Sequence, residues 1–284
     1  MSAISVTGLR KSYDGREALR GIGFEIEEGE VFGLLGPNGA GKTTTVEILE
    51  GYRPRDAGEV EVLGHDPQRS ERAFRERIGV VLQHSDMWPN LTVAETMRVF
   101  AGYYDKARDV AETVTLVGLQ EKRDQRVKTL SGGQKRRLDL GLALIGDPEL
   151  VFMDEPTTGF DPQARRAAWD MIRGLRSLGK TIVLTTHYLD EAQQLADRLA
   201  VLRAGEIVTI GTPSELVGGS ATTEIRYREN GELHVMQTEE PTRVVHELTG
   251  RALAEGREVR ELEVRRATLE DVYLELVRED AIEG

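Results

Sequence analysis

The sequence contains no cysteine among its 284 residues, which excludes disulfide bridges, thiolate zinc sites and thiol chemistry. It also lacks any apolar run that approaches the roughly 20 residues needed to span a bilayer. Residues 1–6 do not combine a basic region with an apolar stretch, so they do not resemble a signal peptide. We therefore expect a chain that is soluble by itself and reaches a membrane only through a partner.

The sequence also has fewer basic than acidic residues. The chain has 37 lysines and arginines against 49 aspartates and glutamates, which gives a formal net charge of -12. Proteins that bind nucleic acids present a basic face to the phosphate backbone, so this balance argues against a nucleic-acid partner. The length is sufficient for a full hydrophobic core in one large domain or two.

A glycine-rich segment at residues 36–43 matches the pattern Gly, four residues, Gly-Lys-Thr. The apolar run 31–35 before it predicts a buried strand, and the run 44–50 after it predicts a helix that ends at Gly51. Glycines let backbone N–H groups surround an anion at the positive end of such a helix. Lys42 would reach the β- and γ-phosphates of a nucleotide, and the Thr43 hydroxyl suits Mg²⁺. The predicted phosphate-binding residues are Gly36, Pro37, Asn38, Gly39, Ala40, Gly41, Lys42, Thr43 and Thr44.

Polar side chains follow three other predicted strands. Asp154 and Glu155 come directly after an apolar run, and adjacent strand residues point in opposite directions. One carboxylate could therefore face a metal ion and the other a water molecule. Gln83 and His187 each stand just past a buried strand, where α/β sheets bind ligands. Taken singly, these two are better explained as a surface glutamine and a structural histidine. Only their shared position at strand ends favours a role in ligand binding.

Residues 92–146 lose the strand pattern and predict a helical insertion, within which a long helix starts after Ser131, a good N-cap residue. Gly132 and Gly133 would present backbone N–H groups at the positive end of that helix, followed by Gln134. A second anion site and a plain helix start explain this equally well. Tyr13, predicted to lie in a polar turn, suits an ordinary half-buried tyrosine or one that stacks on a nucleobase.

The last part of the chain predicts a separate small domain that begins after the glycines at 218 and 219. It contains two alternating strands around Asn230-Gly231, a helix near 241–254 and a third strand. The final helix has apolar residues at helical spacing, at Leu269, Val272, Tyr273, Leu276 and Val277. This stripe either covers the small domain's own sheet or meets a second copy of the chain.

Together these residues resemble the ATP-binding subunit of ABC transporters, over about residues 3–218. The segment 36–44 is similar to the Walker A loop, and 130–134 is similar to the family signature. Asp154-Glu155 resembles the Walker B end. Gln83, Asp161, His187 and Tyr13 resemble the Q-loop residue, the D-loop aspartate, the switch histidine and the adenine-stacking aromatic. Phe160 departs from the commoner leucine. The tail, with residues 267–273, resembles the C-terminal extension of bacterial drug- and polymer-export ATPases of the daunorubicin-resistance type.

The resemblance implies an α/β fold of the P-loop ATPase type at residues 1–218. It would have a mixed sheet core, an antiparallel β subdomain and a helical signature subdomain at about 88–146. A small α+β accessory or dimerisation domain would occupy 219–284.

The resemblance also implies a head-to-tail homodimer that encloses two ATP molecules. Thr43, Asp154 and Gln83 would bind Mg²⁺, Glu155 would polarise the attacking water, and His187 would contact the γ-phosphate. Gln83 would also sense that phosphate. Ser131, Gly132, Gly133, Gln134 and Asp161 would complete the nucleotide sites.

The implied partner is a separate membrane permease, contacted through the segment after Gln83, with the subunit on the cytoplasmic face of the cell membrane. We expect export of a drug, lipid or polysaccharide-like cargo. An importer, a non-transport ATPase and a nucleotide-gated switch are the alternatives. The tail disfavours an importer, the lack of a basic face or second ATPase domain disfavours the non-transport class, and Glu155 disfavours a switch without turnover.

Overall fold

A computed structural model describes residues 2–69, 71–81, 88–218, 223–229, 232–266 and 268–278. Gln83 and the predicted Asn230-Gly231 turn lie outside these residues, as do the side chains of Leu276 and Val277. The chain divides into two compact units, Met1–Ile210 and Gly211–Gly284. Within the described residues, no helix is long and apolar enough to cross a membrane.

The first unit contains two sheets. Its strands, in chain order, are β1 (Ser2–Tyr13), β2 (Arg16–Glu27), β3 (Val31–Leu35), β4 (Ala57–Val62), β5 (Ile78–Val81), β6 (Leu150–Asp154), β7 (Thr181–Thr186), β8 (Arg198–Arg203) and β9 (Glu206–Gly211). Strands β2, β1 and β4 form an antiparallel sheet in that order. The larger sheet has the order β5-β6-β7-β3-β8-β9, and its strands from β5 to β8 run parallel. This is the predicted α/β architecture, and the structural relatives described below confirm it.

The parallel strands are apolar and buried along most of their length because both faces of the sheet are covered. Side chains alternate between faces, so Phe32 and Phe152 belong to one core cluster, while Val31 and Val151 belong to the other. The first cluster fills the space toward the antiparallel sheet, and the second fills the space toward the helical insertion.

The helices of the first unit, in chain order, are α1 (Lys42–Leu49), α2 (Arg72–Arg75), α3 (Val93–Ala101), α4 (Val110–Leu116), α5 (Gly132–Leu144), α6 (Pro162–Ser177) and α7 (Leu189–Leu195). Short 3-10 helices lie at Pro67–Arg69, Gln120–Lys122 and Val127–Thr129. The sequence near residues 68–76 predicts a helix, and the structure has there only the four residues of α2 after a 3-10 turn. Helices α3, α4 and α5 form the insertion, and capping boxes begin α3 and α5.

Alternating apolar residues within 3–8 and 19–26 predict two edge strands, and β1 and β2 are longer than these segments. They extend to a tight turn at Asp14-Gly15, where both residues have positive φ, and Tyr13 pairs with Arg16 across it. Tyr13 therefore ends a strand and is not part of a polar loop. The polar residues near the turn misled the prediction because an exposed hairpin end carries no apolar alternation.

The second unit pairs β10 (Thr223–Glu229) with β11 (Glu232–Thr238) and β12 (Arg260–Arg266), all antiparallel, in the order β11-β10-β12. Its helices are α8 (Pro213–Gly218), α9 (Pro241–Ala254) and α10 (Leu269–Arg278). Ile225, Tyr227 and Leu248 form its own core. The unit begins at Gly211, earlier than the predicted boundary at 218, because α8 packs with α10 of the same unit.

Two apolar residues of β11 do not enter that core. Val235 pairs with Arg226 and Leu233 with Arg228, so both lie on the sheet face opposite Ile225 and Tyr227. They are 51% and 54% exposed. By contrast, Leu269 at the start of the predicted apolar stripe of α10 is buried. This face of the sheet therefore exposes two neighbouring apolar side chains, whereas the start of the last helix is buried.

Candidate functional site

One edge of the large sheet gathers the predicted nucleotide-binding residues. The parallel register aligns Asp154 with Thr185 and Leu35 with Thr186, so the loops that follow β3, β6 and β7 leave the sheet side by side. A cavity of about 650 Å³ lies there, lined by Tyr13, Asn38, Gly39, Gly41, Lys42, Thr43, Thr44, Asp154 and Glu155 among others. The predicted phosphate loop, Walker B carboxylates and Tyr13 thus border a single cavity.

The phosphate loop is shaped by glycines that the fold requires. Gly41 has φ 107°, and a Cβ there would lie 2.7 Å from Leu19 and 2.9 Å from the Ala18 carbonyl. Lys42 follows, only 5% exposed, and its Nζ donates to the carbonyls of Gly36 (2.8 Å) and Pro37 (3.2 Å). Burial lowers the pKa of Lys42, and the charges of Glu155 and Asp154 oppose that shift. The loop therefore holds a desolvated ammonium group at the base of the cavity.

Asp154 and Thr43 offer oxygen atoms to a hard cation. The Thr43 Oγ1 lies 3.3 Å from Asp154 Oδ2 and 3.5 Å from Oδ1. The Thr185 hydroxyl fixes the carboxylate by donating to Oδ1 at 2.5 Å. A hydroxyl and a carboxylate fit Mg²⁺, which takes few protein ligands and completes its shell with water and phosphate oxygens. Gln83, the third predicted ligand, lies outside the described residues.

The Glu155 carboxylate lies near both Lys42 of the phosphate loop and His187 after β7. Its carboxylate lies 3.1 Å from His187 Nδ1, accepts from Thr158 Oγ1 at 3.1 Å, and is 3.8 Å from Lys42 Nζ. The Glu155 N–H donates to Thr185 Oγ1 at 3.0 Å. Since Thr185 also donates to Asp154, one hydroxyl bonds the carboxylate of Asp154 and the backbone of Glu155.

The signature residues do not reach this cavity within one chain. Ser131, Gly132, Gly133, Gln134 and Asp161 line a second cavity of about 520 Å³. As far as the described residues show, the two cavities share no lining residue. Ser131 caps α5 and forms a reciprocal capping box with Gln134. The carboxylate of Asp161 caps α6 by accepting from the N–H groups of Gln163 and Ala164, so in a single chain it serves that helix.

Gly132 and Gly133 differ from Gly41 in one informative respect. Neither has a positive φ, and a Cβ at either position would meet nothing within 4 Å. Neither backbone conformation nor packing inside the described chain therefore requires glycine there. The first N–H groups of a helix have no intrahelical partner, so these two glycines leave them accessible to a group from outside.

Tyr13 is 36% exposed at the rim of the first cavity. The Arg53 guanidinium lies over its ring at 5.3 Å, and Lys11 Nζ at 5.5 Å. The ring is therefore held at the cavity edge by its neighbours, with a third of its surface accessible.

Sequence reasoning missed three residues that orient the site. Thr185 could have been found, since it is a polar residue in a buried strand beside the Asp154 strand. Glu191 is fully buried on α7, accepts from Thr157 (2.8 Å) and Trp169 (3.3 Å), and burial raises its pKa. Arg136 donates to backbone carbonyls after β6. The last two depend on contacts between elements that no local pattern reports.

A glycine-rich loop, two carboxylates and a histidine at the carboxyl edge of a parallel sheet define a P-loop ATPase. The model of the ABC transporter family matches residues 19–158. The chain is 40% identical to a Nod factor export ATP-binding protein I from Rhizobium sp. (strain N33), over 96% of both chains. It is 44% identical to the protein of that name from Bradyrhizobium diazoefficiens, over 76% of this chain and 72% of the relative.

Among solved structures, cbiO1 from Clostridium perfringens, part of an ABC transporter complex, superposes with a TM-score of 0.70 and 26% identity, over 76% of this chain and 91% of its own. The chain belongs to the ATP-binding subunits of ABC transporters, which bind and hydrolyse ATP. Such ATPase domains generally dimerise and work with a separate membrane permease.

Proposed function

We propose that two copies of this chain pair head to tail and enclose two ATP molecules. The phosphate loop of one chain and the signature of its partner would form each site. The observation that carries this proposal is the pair Gly132 and Gly133, whose lack of side chains nothing in the chain itself requires. In a head-to-tail pair their N–H groups would meet the γ-phosphate of the partner's ATP.

Within each site, Lys42 neutralises phosphate charge, and Tyr13 stacks on the base. Thr43 and Asp154 hold Mg²⁺, which supplies charge neutralisation for the phosphates when bound. Glu155 polarises the attacking water. His187, whose Nδ1 lies 3.1 Å from Glu155, would donate to the γ-phosphate. Gln83 remains a predicted sensor and metal ligand. Phosphoryl transfer of this kind depends on positioning and charge more than on covalent steps.

We also propose that ATP-driven closure of this pair powers a separate permease for export. The support is the similarity over nearly the whole chain, tail included, to a relative whose name states export. The cargo would be a drug, lipid or polysaccharide-like molecule. The subunit would act on the cytoplasmic face of the membrane, touching it through the permease alone, with no nucleic-acid partner.

The test of the composite site is a mixture of two inactive chains. Lys42→Ala removes the phosphate contact of its own site, and Gly132→Asp blocks the signature it offers to a partner. Each variant alone is expected to be inactive, whereas mixed dimers keep one intact site and should hydrolyse ATP. Wild type mixed with a chain carrying both substitutions is the control, because its mixed dimers keep no intact site and any activity comes from wild-type homodimers alone. A mixture no more active than its separate components would contradict the head-to-tail pairing.

We propose that the second unit stabilises the dimer. A second copy could cover Leu233 and Val235, whose neighbours on that face include both Glu224 and Arg226, a pattern that suits self-association. Removing residues 213–284 is expected to leave a folded ATPase unit, because the unit keeps its own core clusters. Without nucleotide, sedimentation should show the truncated chain as a monomer and the full chain as a dimer.

Substitutions on β11 can show whether dimerisation depends on Leu233 and Val235 or on another part of the second unit. Leu233→Lys with Val235→Lys should dissociate the nucleotide-free dimer as truncation does. Leu253→Lys, a change at a 76% exposed residue of α9, is the matched control and should remain dimeric. The same oligomeric state for the full and truncated chains without nucleotide would contradict the role of the second unit in dimerisation.

A further inference from the structure

The backbone at Glu155 is unusual. Its φ is +46°, in the left-handed region that residues with a side chain adopt infrequently. The next residue is Pro156, and a residue before proline ordinarily favours extended backbone. The local sequence therefore does not favour the conformation that turns the carboxylate toward Lys42 and His187. Contacts from elsewhere in the fold must hold it.

Two of those contacts come from one side chain of the signature helix. Arg136 on α5 donates from Nη2 to the carbonyl of Asp154 and from Nε to the carbonyl of Pro156, both at 3.3 Å. These carbonyls belong to the residues on either side of Glu155. The planar guanidinium thus spans the left-handed residue, and its fixed fork suits two acceptors held at a set separation.

The other contacts to the Glu155 backbone come from its own sheet edge. Thr185 Oγ1 accepts its N–H, and its carbonyl accepts from the N–H of Thr158. Arg136 differs because it lies five residues after Ser131, on the helix whose start is the signature. Arg136 is half-buried, and burial lowers its pKa.

We propose that Arg136 is a positioning residue that fixes the Glu155 conformation and thereby joins the signature helix to the hydrolytic base of the same chain. The inference rests on the proposed composite site. In that site the signature contacts the partner's ATP, whereas Glu155 acts on the ATP bound to its own chain. Movement of α5 on contact with the partner's nucleotide would then reach the chain's own base through the two carbonyls.

The mixed dimer of Lys42→Ala and Gly132→Asp chains separates this role from simple support of the signature. In the one intact site, the Gly132→Asp chain supplies Glu155 and the Lys42→Ala chain supplies the signature. Arg136→Ala added to the Gly132→Asp chain should lower kcat by about 10–100-fold, the range expected for a displaced catalytic group, with KM nearly unchanged. The same substitution in the Lys42→Ala chain should leave kcat within about twofold of the parental mixture. Equal losses in both placements, or loss only in the signature-supplying chain, would overturn the proposal.

Homodimers give a second, independent measurement. Arg136→Ala should lower kcat while KM, ATP affinity and the unfolding midpoint stay near wild type, and Arg136→Lys, which keeps the charge but not the fork, should recover part of the loss. Arg173→Ala, at an exposed arginine of α6 paired with Asp170, is the matched control and should retain wild-type kcat. Wild-type kcat in Arg136→Ala would overturn the proposal. If the mixture of Lys42→Ala and Gly132→Asp chains were itself inactive, that result would contradict the composite site. The kcat of the Arg136→Ala homodimer would then still test the role of Arg136.

Discussion

Replacing Glu155 with glutamine is expected to preserve ATP binding and to lower kcat by roughly 10²–10⁴-fold, the contribution of a general base. Glutamine has nearly the same shape and can still accept from Thr158, so the cavity keeps its form. It cannot, however, polarise a water molecule as a carboxylate does. Steady-state phosphate release measures the loss, and titration with a fluorescent ATP analogue measures binding.

The chain provides a matched control on the same strand. Glu149 precedes β6 as Glu155 follows it, and its carboxylate pairs with Arg77 at the opposite end of the strand. Glu149→Gln makes the same chemical change with a cost of about 0–1 kcal/mol for an exposed ion pair. Its turnover should match wild type. If Glu155→Gln released phosphate at the wild-type rate, another group would have to be the base.

Loss of turnover without loss of binding should also change the oligomeric state. If ATP closes the dimer and hydrolysis opens it, Glu155→Gln in a chain that lacks residues 213–284, which we expect to be monomeric without nucleotide, should accumulate as a closed dimer in the presence of ATP. Sedimentation of the variant with ATP and with ADP would distinguish the two states. A variant whose mass was the same with ATP and with ADP would contradict the proposal that hydrolysis opens the dimer.

Much of the sheet edge could be predicted because each part has its own local signature. The loop at 36–43 carries glycines at fixed spacing, and the Asp154-Glu155 pair ends an apolar strand. Parallel strands place their carboxyl ends together, so these two patterns and His187, which follows a third strand, could be assigned to one site. The relatives confirm the family and fold that these motifs predicted.

The positioning contacts were invisible because they join residues distant in the chain. Thr185 touches Asp154 across two strands, and Arg136 reaches the carbonyls beside Glu155 from another subdomain. The left-handed backbone of Glu155 is equally hidden, since nothing in Asp-Glu-Pro predicts positive φ at a glutamate. Sequence patterns thus indicate which groups do the chemistry, while the supporting contacts need the folded chain.

The second unit shows that alternation alone does not predict which face of a strand is buried. Leu233 and Val235 alternate as a half-buried strand should, yet the antiparallel register opposes them to Arg226 and Arg228, on the outward face. A shift of one residue would have buried them, because the side-chain period of a strand is two. The predicted turn at Asn230-Gly231 lies outside the described residues.

Replacing Lys42 with methionine should weaken ATP binding by about 10–100-fold, since hydrogen bonds to a charged group contribute about 1.5–3 kcal/mol. Turnover should fall further because developing phosphate charge in the transition state would lose the same ammonium group. The nucleotide-free fold should survive, because methionine keeps most of the buried stem and removes a desolvated charge whose partners are the Gly36 and Pro37 carbonyls.

The stabilisation of the fold by ATP separates this effect from damage to the protein. A ligand that binds the native state raises the unfolding free energy by RT ln(1 + [L]/Kd), so a weaker Kd must reduce the ATP-induced rise in the unfolding midpoint. Lys180→Met is the matched control, because Lys180 is 15% exposed and pairs with Asp147, outside the lining of the nucleotide cavity. That variant should keep the full ATP-induced shift. A Lys42→Met chain that kept it as well would show that the ammonium bonds the loop carbonyls without contacting the nucleotide.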